Sequence, residues 1–76
     1  MKQNLEALNN LPINFDEFYS IRVTQYDITL MAWLTEKIVR DLELLGIEFS
    51  YDQKDKSLYF AGEIGTVKTF ITLSIR

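Results

Sequence analysis

The acids of this chain are the side chains whose spacing could do chemistry. Asp16-Glu17 and the Asp52/Asp55 pair are its local acid clusters. Paired carboxylates can carry general acid–base work or hold Mg²⁺ or Ca²⁺. The 52–56 segment lacks the ligand run, central glycine and distant bidentate glutamate of an EF-hand, and Lys54 and Lys56 stand among its acids. Both clusters are therefore expected to be solvated turn charges. The chain has no histidine and no cysteine. It thus lacks the side chain that titrates near neutral pH, and it lacks the usual ligands of zinc, haem and iron–sulfur centres. Serine and threonine are plentiful, but no histidine can serve as their base. No catalytic residue, no metal and no cofactor is expected.

Gly62-Glu63-Ile64-Gly65 has the GXXG spacing of the KH loop, which joins two helices and clamps a nucleic-acid backbone. Here it falls between two strand-like runs and carries a glutamate, so a structural turn is expected. No Walker motif, dinucleotide fingerprint or G-x-S-x-G elbow is present.

The elements that would position these residues follow from periodicity. Tyr19, Ile21 and Val23 alternate with Ser20, Arg22 and Thr24, which predicts a half-buried strand, and Gln25-Tyr26-Asp27 reads as a turn. Ile28–Leu34 fits a strand, with Ile28, Leu30, Ala32 and Leu34 on one face and Thr29, Met31 and Trp33 on the other. A helix over the same residues would expose Leu30 and Trp33. Thr35 is a good N-cap, with Glu36 favourable to the helix dipole. Ile38, Val39, Leu42 and Leu45 form an apolar helical stripe, Glu36 and Arg40 an i,i+4 pair, and Gly46 a natural stop. Leu44 falls on the polar side. Ile47, Phe49 and Tyr51 alternate as a strand, Asp52–Lys56 is a polar turn, and Leu58–Ala61 returns. After the glycine-bounded turn, Val67, Thr69, Ile71, Leu73 and Ile75 form the cleanest strand.

The expected fold class is α+β: a mostly antiparallel four- to five-stranded sheet with one main helix on one face, in the order β-β-α-β-β-β. Residues 15–76 form a single domain. Residues 1–14 form a tail or a short helix carrying Leu5, Leu8 and Leu11, closed by Pro12.

One helix leaves the second face of such a sheet uncovered. On it the alternation places Met31, Trp33, Tyr59 and Phe70 among Thr and Ser. An apolar patch of this kind marks an interface, and Trp and Tyr are typical anchors. The N-terminal leucines, a second copy of the chain, or a foreign protein could each cover it. Glu48, Asp52 and Glu63 would form an acidic rim able to oppose a basic nucleic-acid site. Arg22, Lys68 and Arg76 could align with Trp33 and Phe70, which are ingredients of single-strand binding.

At 76 residues the chain is one domain that buries only about 60% of its unfolded surface. Its net charge of −3 disfavours nonspecific binding to nucleic acid or to anionic membrane. No apolar run has the length of a transmembrane helix, and Met1–Leu5 lacks the apolar core of a signal peptide, so a cytoplasmic location is expected. In its short length, acidity, absence of Cys and His, α+β patterning and lack of catalytic signatures, the chain resembles small accessory proteins of bacteriophages and other mobile elements. Anti-CRISPRs and other anti-defence inhibitors belong to that group. The resemblance implies stoichiometric, non-enzymatic binding to a host protein in the bacterial cytoplasm. It assigns a role to no individual residue.

Overall fold

In a computed structural model, which describes residues 15–64 and 66–76, the chain forms an α+β fold. A 3-10 turn (Phe15–Glu17) leads into strand β1 (Phe18–Val23) and strand β2 (Ile28–Trp33). Helix α1 (Glu36–Leu44) follows, then strands β3 (Ser50–Asp52), β4 (Ser57–Ile64) and β5 (Val67–Ser74). The element order expected from periodicity omitted the 3-10 turn. The short helix or tail expected over residues 1–14 lies outside the described residues.

The strands form one five-stranded sheet in the order β1-β2-β5-β4-β3. The last three strands make an antiparallel meander, and β1 and β2 an antiparallel hairpin. The two units join through β2 and β5, which run parallel, Leu30 opposite Ile71 and Ala32 opposite Leu73. The sheet is therefore mixed rather than antiparallel throughout. Parallel neighbours need a long crossover, and here α1 with the β3–β4 hairpin supplies it.

Residues 28–33 are strand because both edges of β2 are paired. Ile28, Leu30 and Ala32 point inward and are fully buried with Ile71 and Leu73 of β5. Ile38 and Leu42 of α1 and Ile47 after it complete the core. Thr69 is the one polar residue of β5 in this layer, and its hydroxyl donates to the Val67 carbonyl at 2.9 Å.

Three local expectations change. The strand expected from Ile47 pairs only over Ser50–Asp52, although Ile47 stays buried. Strand β4 continues through Gly62 to Ile64, which pairs with Val67, so Gly62 lies within a strand rather than in a turn. The Phe60 ring lies over it, 3.0 Å from where a Cβ would stand. Finally, the register shifts between Phe18 and Ser20, so Tyr19 is the extra residue of a bulge and leaves the face of Ile21 and Val23.

Helix α1 begins and ends as its sequence dictates. The Thr35 hydroxyl accepts the Ile38 N–H at 3.2 Å. At the other end, the Gly46 N–H donates to the Glu43 carbonyl and the Ile47 N–H to the Leu42 carbonyl. This is the Schellman pattern, closed by the apolar pair of Leu42 and Ile47. Glu36 and Arg40 do not close their expected ion pair; Lys37 instead reaches Glu17 at 3.3 Å and ties α1 to the 3-10 turn. Gly46 has φ +79°, and no atom lies within 4 Å of where its Cβ would stand. Gly46→Ala therefore costs backbone strain alone, about 1 kcal/mol. A urea titration should show a lower midpoint with an unchanged slope.

Candidate interaction face

Alternation along paired strands sends every second side chain to the face away from α1. In the middle row of that face Met31 stands beside Thr72, and Thr72 beside Tyr59. In the next row Arg22, Thr29, Phe70 and Ala61 are neighbours. In the row on the other side Trp33 is paired with Ser74, and Ser74 with the buried Ser57. Met31, Trp33, Tyr59 and Phe70 thus share the outer face, but not as one cluster. Trp33 lies beside Ser74, four residues along β5 from Phe70, about 13 Å at the usual strand rise.

Each end of the face carries an aromatic ring with a cation over it. At one end the Trp33 ring lies 5.2 Å from that of Tyr19, tilted by 35°, and the Arg76 guanidinium sits 5.7 Å from the Trp33 centroid. At the other end the Lys68 ammonium sits 5.6 Å over Phe70. Both separations are within cation–π range. Trp33 keeps 42% of its surface exposed and Tyr19 keeps 50%, so the packed pair still presents a broad aromatic surface. Sequence reasoning missed Tyr19 because uniform alternation puts it with Ile21. The available signal was Phe18-Tyr19 itself: uniform alternation turns Tyr19 inward and Phe18 outward, and the bulge exchanges them so that the more apolar ring is the buried one.

Of the three expected rim acids, Asp52 and Glu63 lie at margins of the outer face, Asp52 in the Trp33–Ser74–Ser57 row, and Glu48 does not. Glu48 lies on the segment between α1 and β3, off the sheet. Asp52 is on the edge strand, and its Oδ1 accepts the N–H groups of Lys54 and Asp55 at 3.0 and 3.3 Å. It is a turn-closing carboxylate. Glu63 stands opposite Lys68 in register, at the Phe70 end. Of the other acid cluster, Glu17 carries the ion pair to Lys37.

Open concavities lie among the described residues. One lies against the β1–β2 turn around Tyr26, one between α1 and Leu58, and one beside Phe70, Lys68 and Glu63. Among the described residues no group of three or more His, Cys, Asp or Glu gathers to hold a metal ion, and no helix is long and apolar enough to cross a membrane. Comparison with protein-family models, with curated proteins and with solved structures finds no match to this chain.

Proposed function

We propose that this chain is a non-enzymatic protein–protein interaction module of the phage or mobile-element anti-defence type. It binds a host protein stoichiometrically in the bacterial cytoplasm and sterically blocks a defence complex such as a CRISPR effector. The observation that carries this reading is the outer sheet face. Helix α1 packs on the opposite face, which leaves Tyr19, Trp33 and Tyr59 exposed, with Arg76 over the Trp33 ring and Arg22 in the row of Phe70. Trp, Tyr and Arg are the residue types that dominate binding energy at protein interfaces. Trp33 is also preorganised before any partner arrives, since Tyr19 packs against its ring and Arg76 lies over it. Preorganisation of this kind reduces the ordering cost of association.

The test is a tagged capture from bacterial lysate, followed by light-scattering size analysis, with Trp33→Ala/Phe70→Ser run in parallel. A single stoichiometric host protein is expected with the parent chain, and a loss of at least about a hundredfold in affinity with the double variant, the scale of a hot-spot truncation. Equal capture by both proteins would sink the assignment of this face.

A further inference from the structure

We infer that the outer sheet face docks on an acidic protein surface, one that presents carboxylates to Arg22, Lys68 and Arg76. This inference rests on the protein-binding reading above and adds the chemistry of the partner. The chain as a whole is acidic, at net charge −3, yet among the described residues the cations of this face close no ion pair, not even Lys68 with Glu63 opposite it. Among the described residues no carboxylate comes within 4.0 Å of Arg22, Lys68 or Arg76. Asp27 and Asp52 each turn one carboxylate oxygen to their own turn rather than to a cation. Asp27 Oδ1 accepts the Thr24 hydroxyl at 2.8 Å, and Asp52 Oδ1 accepts the two turn N–H groups. Glu63 is the remaining acid, at the Phe70 end. Two of the three cations are held over aromatic rings, where their outward N–H groups stay available to a carboxylate.

The same geometry decides against two other occupants. An isologous dimer would set this patch against itself, bringing like charges together. Single-stranded nucleic acid binds such sheets by stacking bases on open aromatic faces. Here Arg76 lies over the Trp33 ring and Lys68 over the Phe70 ring, so a cation already occupies the stacking position on each.

Trp33 is the only tryptophan in the chain, so its emission reports on this face directly. The full chain is titrated with a glutamate–tyrosine copolymer and, separately, with an oligothymidylate, exciting at the red edge where tryptophan alone absorbs. The copolymer is expected to change the Trp33 emission. That response should weaken at least about tenfold between about 0.1 M and 1 M salt, as the Debye length falls from about 10 Å to 3 Å. It should disappear in Arg22→Gln/Lys68→Gln/Arg76→Gln, with circular dichroism confirming that this variant folds, and it should strengthen in Glu63→Gln. A response to the oligothymidylate alone would transfer the face to nucleic acid. A concentration-dependent dimer that Trp33→Ala abolishes would transfer it to a second copy. Silence towards both polymers would overturn the acidic-partner inference, while a captured protein lost only in Trp33→Ala/Phe70→Ser would leave the protein-binding reading standing.

Discussion

Leu30→Ala is expected to remove about 2–5 kcal/mol of stability, whereas Met31→Ala, one residue along the same strand, should cost less than about 1 kcal/mol. Leu30 is 0% exposed. It stands between Ile21 of β1 and Ile71 of β5, and both neighbouring strands are held by backbone ladders on either side of β2. The walls of the resulting cavity cannot close without breaking those ladders, which places the cost high in the usual range. A domain of this size rarely has more than roughly 3–5 kcal/mol in hand, so the Leu30 variant should be largely unfolded at room temperature. Met31 is half-buried on the outer face between Ser20 and Thr72, and truncating it exposes small polar neighbours without leaving a hole. Urea titrations followed by far-ultraviolet circular dichroism and by Trp33 emission measure both costs. A larger cost at Met31 than at Leu30 would mean that β2 is slipped by one residue, which exchanges its faces and takes the proposed interaction face with it.

How much of this was legible in the sequence depends on whether the cause was local. Helix α1 was readable because its cap, stripe and stop all lie within Thr35–Ile47. The shared face of Met31, Trp33, Tyr59 and Phe70 was readable because alternation fixes faces once the strands are assigned. Which strands become neighbours is not a local property. Inward-pointing Ile28, Leu30 and Ala32 would suit an antiparallel partner as well as the parallel β5 they meet. The choice follows from burying the two most apolar strands at the centre of the sheet. Gly62 misled for a related reason. A glycine signals a turn from its own conformational freedom, but here its missing side chain makes room for the Phe60 ring. The cation–aromatic pairs were half readable. The residues could be placed on one face, whereas their division into two ends depended on the β2–β5 register and on the Tyr19 bulge.

Leu42→Ala should cost about 2–5 kcal/mol, and Leu44→Ala, two residues on in the same helix, should stay within about 0.5 kcal/mol. Both changes put alanine, the best helix former, in place of leucine, so neither weakens α1 as an isolated helix. The difference between them isolates tertiary packing. Leu42 is 0% exposed in the core with Ile38, and it forms the apolar closure of the Schellman turn with Ile47; Leu44 is 81% exposed. The Leu42 carbonyl still accepts the Ile47 N–H after the change, so the backbone cap survives and the loss is one of packing. Urea midpoints measure the stability difference, and amide exchange at Gly46 and Ile47 should accelerate in the Leu42 variant alone. The comparison also bears on function. Helix α1 covers one face of the sheet through Ile38 and Leu42, and that covering is what leaves the Trp33 face as the open one. If the two alanine variants proved equally stable, α1 would not be docked through Leu42, and the helix side of the sheet would compete with the outer face as the surface a partner meets.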